Sequence, residues 1–212
     1  MKKMENRDTS TNTLAWIQRR IESSIAVIQA IVSQPVLEQI AQAAKVLAER
    51  LSLGNQLLIF GNGGSAADAQ HIATELVASF YLQRKALPVV ALTTNTSTLT
   101  AIGNDHNFDL VFSRQIEAYG KPRDVAIGIS TSGRSRNVFQ GLKKGRELGL
   151  YTVALTGANS NDLQSTADIC ISVPSQDTPR IQESHILIGH ILCEYVEATL
   201  FGAEFNKPGK GE

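Results

Sequence analysis

The chain has 212 residues, 42% of them hydrophobic and 19% charged, which suits one domain with a full core and excludes a disordered segment. Twenty Lys and Arg balance twenty Asp and Glu, so no basic excess marks a nucleic-acid binder that works by phosphate neutralisation, and near neutrality favours self-association. No run reaches the roughly 18 apolar residues of a membrane span, and the polar N-terminus lacks a signal segment, so a cytoplasmic protein with no membrane partner is expected.

In chain order, residues 1–10 read as a polar arm. Leu14, Ile17, Ile21, Ile25, Ile28 and Val32 then recur every three or four positions, which draws an apolar stripe on one helix. Pro35 suits the start of a second helix carrying Leu37, Ile40, Val46, Leu47 and Leu51. Two helices ahead of any strand pack either on a sheet face or on another subunit. From residue 56 the pattern changes to short apolar runs bounded by turn residues: QLLIF at 56–60, PVVAL at 88–92, VAIGIS at 125–130, YTVALT at 151–156 and DICISV at 168–173. Helical stretches are expected at 66–80, 107–119 and 135–148, and a last helix from near Pro179 to about residue 200. Apolar strands alternating with helices predict an α/β fold with a parallel sheet covered on both faces. Residues 11–203 form the single domain, and 204–212 a polar tail. Cys170 and Cys193 sit in apolar runs with no CxxC spacing, and read as reduced core residues.

Ligands of open parallel sheets bind at the carboxyl ends of the strands, so the loops after the apolar runs carry the chemistry. Gly61-Asn62-Gly63-Gly64-Ser65 follows the first run. It makes either a tight strand–helix turn or an anion site at a helix N-terminus, and no lysine is present for a nucleotide triphosphate. Ser130-Thr131-Ser132-Gly133-Arg134-Ser135 follows the third run. A helix cap needs one hydroxyl; four at a helix N-terminus favour a phosphate cradle. His71 and Glu75 share a helix face and are able to ligate a divalent metal or to orient one another. The apolar neighbours Ile72, Ala73, Leu76 and Val77 make a charged Glu75 costly without a purpose. Asn104-Asp105 breaks an apolar stretch. Arg180, Gln182, Glu183, His185 and His190 lie on the last helix, where a lone histidine on an apolar face reads first as a core residue.

Taken together, GNGGSAADAQHIATEL, AIGNDHNF, GISTSGRSRNV and RIQESHILIGHIL resemble the sugar-isomerase (SIS) domain, and more closely the bacterial phosphoheptose isomerases, over about residues 12–200. The resemblance implies an SIS-type three-layer sandwich, with a five-stranded parallel sheet flanked by helices and two extra N-terminal helices. It implies conversion of sedoheptulose 7-phosphate to D-glycero-D-manno-heptose 7-phosphate, for lipopolysaccharide or other surface glycans. Asn62, Gly63, Gly64, Ser65, Glu75, Asn104, Asp105 and Gln182 would bind substrate, and Ser130, Thr131, Ser132 and Ser135 would hold its phosphate. One zinc per subunit would be held by His71, Glu75, Gln182 and His190, with Glu75 and His190 catalytic. The assembly would be a homotetramer with sites at subunit interfaces.

Chemically, shifting a carbonyl from C2 to C1 needs a proton lifted from C1 and returned at C2, which suits a carboxylate and an imidazole. A metal would polarise the carbonyl. Eight helical residues span about 12 Å, so Gln182 and His190 of a regular helix reach one ion only from different subunits. The alternative is a non-catalytic SIS relative that binds the bacterial replication initiator. In that relative the helix glutamate is replaced and the terminal-helix histidine lost, whereas Glu75 and His190 are both present here.

Overall fold

Five strands pair in parallel in the order β2-β1-β3-β4-β5 in a computed structural model of the chain, which describes residues 9–159 and 161–202. The strands are β1 Leu57–Gly61, β2 Val89–Ala91, β3 Val125–Ser130, β4 Tyr151–Thr156 and β5 Ile169–Ser172. β1 and β3 are buried along their whole length, as unbroken apolar runs require when helices cover both faces of a sheet. Alternate residues serve opposite faces. Leu57 and Ile59 join one core with α2 Gln34–Ser52, α3 Gly64–Val77 and α8 Thr178–Phe201. Leu58 and Phe60 join a second core with α5 Ser113–Tyr119 and α6 Arg136–Glu147. Each fully buried aliphatic or aromatic side chain of this kind contributes about 1.5–3 kcal/mol. The three-layer α/β sandwich expected from the sequence is therefore the fold observed. Cys170 and Cys193 are buried free thiols within it, and burial pushes the Cys193 thiol up to about 12.

α1 Thr9–Ile31 begins inside the expected arm, and the break before α2 turns the chain by 72°. The rest of the expected arm and the expected tail lie outside the described residues. Pro35 stands in the first turn of α2, where its missing N–H costs nothing. α2 buries its apolar face, but α1 does not. Leu14, Trp16, Ile17, Ile21 and Ile25 are 43–69% exposed. Among the described residues no single helix is long and apolar enough to cross a membrane.

The stretch 92–119 departs from expectation. A helix, α4 Thr96–Asp105, stands where none was expected, and Asn95 caps it by accepting from the Thr98 N–H at 3.0 Å. The expected helix over 107–119 is broken. The Asn107 side chain accepts from the Asp109 N–H and starts a 3₁₀ turn, Phe108–Leu110, before α5. The loop after β4 contains a further short helix, α7 Asn161–Thr166.

Candidate active site

The strand order places a topological switch at β1 and β3. The chain leaves β1 toward β2 on one side and returns to β3 on the other, and ligands of doubly wound sheets bind in the crevice this opens. Gly61 of β1 lies in register with Ile129 of β3. Hence the glycine loop at 61–65 and the hydroxyl loop at 130–135 are neighbours. Reciprocal amides join them: Asn62 Nδ2 donates to Asn137 Oδ1 at 2.8 Å, and Asn137 Nδ2 donates to Asn62 Oδ1 at 2.9 Å. Asn137 is buried and was missed in the sequence, where it reads as a first-turn helix residue without a motif of its own. Much of the hydrogen-bonding capacity of Asn62 is thus spent on bridging the two loops.

In the hydroxyl loop, Ser130 Oγ donates to Ser135 Oγ at 3.0 Å, and Ser132 Oγ accepts from the Arg134 N–H. Ser135 occupies the N-cap position of α6 but makes no capping bond with its side chain. In the first turn of this twelve-residue helix the Val138 N–H donates to Asn137 Oδ1 at 2.9 Å, which leaves the N–H groups of Arg136 and Asn137 for an anion. Ser65 is buried at the start of α3. Asn104 and Asp105 end α4 on an exposed surface, where Asn104 Nδ2 donates to Asp105 Oδ1 at 2.8 Å.

α3 and α8 lie side by side, and this decides which distant residues meet. A Cβ on Gly189 would stand 2.6 Å from Ile72 Cδ1, so a larger residue there would displace the buried Ile72 side chain or part the helices. That approach brings His190 Nε2 to 2.9 Å from His71 Nε2, while Glu75 Oε1 lies 3.3 Å from the same nitrogen. The Phe80 ring packs against His190 with centroids 5.6 Å apart. Asp68, one turn before His71, was also missed in the sequence. Burial pushes its carboxyl up, partly offset by His71, and one carboxyl oxygen is buried without a hydrogen-bond partner. His185, singled out in the sequence, belongs to the core. It is fully buried, its Nε2 lies 3.2 Å from the Thr156 carbonyl, and burial pushes it down to about 4.

The matched family model is that of the SIS domain, over residues 21–157. Phosphoheptose isomerase of Clostridium acetobutylicum is 47% identical over 193 residues, covering 91% of this chain and 98% of the relative. That of Aneurinibacillus thermoaerophilus is 51% identical over 191 residues, covering 90% and 96%. The phosphoheptose isomerase structure from Neisseria gonorrhoeae superposes with a TM-score of 0.83 at 40% identity, covering 88% of this chain and 99% of that one. The chain belongs to the phosphoheptose isomerase family.

Of the four residues expected from the sequence as metal ligands, the fold gathers three. His71, Glu75 and His190 converge, and two imidazoles with a carboxylate are donors that zinc accepts. The donors touch one another rather than surround a space, and among the described residues no three His, Cys, Asp or Glu are spaced to enclose an ion. Seating a metal there needs side-chain rotation. Gln182 lies elsewhere: its Nε2 would be 2.2 Å from a Cβ on Gly64. α8 is a continuous helix, so Gln182 is two turns from His190 and lies against Gly64 of its own chain.

Proposed function

We propose that the chain isomerises sedoheptulose 7-phosphate to D-glycero-D-manno-heptose 7-phosphate, the activity for which its relatives are named extended to a defined substrate and product. The observation that carries this reading is the meeting of Glu75, His71 and His190 on α3 and α8, where α3 is the helix that follows the glycine loop bridged to the hydroxyl loop. The phosphate binds at Ser130, Thr131, Ser132 and Ser135 and at the first N–H groups of α6. Binding energy taken there, away from the reacting carbons, holds C1 and C2 in place. Glu75 takes the proton from C1 and returns it to C2, and His190 moves the proton between the two oxygens. Ser65, Asn104, Asp105 and Gln182 hold the sugar hydroxyls, and Asn62, Gly63 and Gly64 shape the loop that admits them. His71, Glu75 and His190 would hold a zinc ion, joined by Gln182 of a neighbouring copy; bound there, zinc supplies Lewis-acid polarisation of the carbonyl and of the enediol charge.

The product belongs to heptose synthesis for surface glycans such as lipopolysaccharide, in the cytoplasm. Incubation of the metal-supplemented protein with sedoheptulose 7-phosphate, followed by detection of an aldoheptose phosphate, tests the reading. No turnover under those conditions sinks it and leaves the non-catalytic, initiator-binding alternative.

The assembly is proposed to be a homotetramer, because α1 turns a continuous apolar row to solvent in a single chain and such rows mark interfaces. Ile17→Glu combined with Ile21→Glu is expected to lower the molar mass seen by light scattering and to reduce turnover with it. A wild type that is monomeric and fully active at nanomolar concentration ends this proposal.

A further inference from the structure

Behind the converging side chains lies a buried ion pair to which none of the site chemistry above assigns a role. Arg84 Nε donates to Glu197 Oε1 at 2.8 Å, and both side chains are almost completely buried. The other donors of Arg84 face the end of α3. Nη2 donates to the Glu75 carbonyl at 2.8 Å, and Nη1 to the Leu76 carbonyl at 2.8 Å. These are carbonyls of the last turn, which has no downstream helical N–H to accept from, and a cation suits that end of the helix dipole.

Glu197 accepts three backbone bonds as well: from Phe80 at 3.1 Å, Tyr81 at 2.6 Å and Leu82 at 3.0 Å. Each carboxylate oxygen thus takes two donors, and segment 80–82 is fixed. That segment carries Phe80, the ring that backs His190. One ion pair therefore sets the helical turn that bears Glu75 and the aromatic wall behind His190.

A buried pair is weak evidence for stability, since its desolvation offsets most of its attraction. This pair makes five main-chain attachments besides, to the carbonyls of Glu75 and Leu76 and to the amides of Phe80, Tyr81 and Leu82. We propose that Arg84 and Glu197 are positioning residues for the reaction: Arg84 holds the Glu75 turn in register with His190, and Glu197 holds both Arg84 and the segment carrying Phe80. The proposal rests on the isomerase reading of the site.

Arg84→Lys tests it. The lysine keeps a charge for Glu197 but, as a single nitrogen, cannot also span the Glu75 and Leu76 carbonyls. The expected result is a fall in kcat of about 10-fold or more, the range seen when groups that orient ligating side chains are removed. KM stays within about 3-fold, because the hydroxyl loop is built on other strands. In metal-free protein, the Ala78 amide exchanges faster than in wild type, and amides of β3 do not. Glu197→Gln is the second variant, with faster exchange at Phe80, Tyr81 and Leu82 and the same loss in kcat. Unchanged kcat in both variants overturns the proposal, as does a kcat loss that merely tracks the folded fraction in thermal unfolding. A wild type without turnover defeats the isomerase reading and the positioning role with it, while the exchange pattern still reports separately whether the clasp holds these segments.

Discussion

Glu75→Gln is expected to lower turnover at least about 10²-fold, the usual effect of removing a general base, with the fold and phosphate binding intact. Glu75 sits on the inner side of α3, its side chain 21% exposed and its Oε1 3.3 Å from His71 Nε2. The amide preserves shape and keeps an oxygen toward His71, so the helix has no reason to move. What it removes is the capacity to accept a proton from C1. Substrate binding persists because the hydroxyl loop lies at the end of β3, on a different element. Metal content falls only in part, since His71 and His190 remain. His190→Ala is expected to be similarly damaging, and the double variant little worse than either single one, as for residues that act as a unit. Steady-state kinetics with calorimetric titration of the substrate separate the terms. Near wild-type turnover in Glu75→Gln overturns the proton-transfer assignment.

Gly133→Ala is expected to do the opposite, raising KM about 10-fold or more with a smaller effect on kcat. Gly133 adopts φ 66°, a left-handed conformation that costs an L-residue about 1–2 kcal/mol. Space is the larger obstacle. A Cβ there would stand 2.1 Å from the main-chain oxygen of Asn159 and 3.1 Å from Thr156 Oγ1. The close neighbour is backbone, not the free end of a side chain, so one of the two loops has to move. The nearer hydroxyls are Ser132 and Ser135, and their displacement costs the phosphate its cradle. An increase of 10-fold in KM corresponds to about 1.4 kcal/mol of binding, which a shift of this kind readily removes. Glu75 and His190 lie on α3 and α8 and keep their relation. Kinetics against sedoheptulose 7-phosphate, with inorganic phosphate as a competing ligand, check the result. Unchanged KM and unchanged phosphate competition reject the assignment of the phosphate to this loop.

The two variants probe what was legible in the chain to different degrees. Residues 125–130 and 151–156 are strands over the spans expected from the sequence, because a strand buried on both faces needs an unbroken apolar run and turn residues at its ends. The hydroxyl loop and the glycine loop were legible for the same reason, since each is a local segment directly after such a run. α4 was not. Its Thr-rich start is poor in helix propensity, and the cap that begins it depends on one side chain, Asn95, folding back on Thr98.

Local pattern alone therefore determined the parallel α/β class, the binding edge of the sheet and the residue types available there, because strand and helix periodicities and turn chemistry act over a few neighbours. Only the tertiary structure decided which of those residues meet. His71 and His190 are 119 positions apart, Arg84 and Glu197 are 113 apart, and Asn62 and Asn137 are 75 apart. These pairings follow from the strand order and from the close approach of α3 to α8 at Gly189. Both are choices of packing among whole elements, made by burying two apolar faces at once, and no short stretch of sequence contains them.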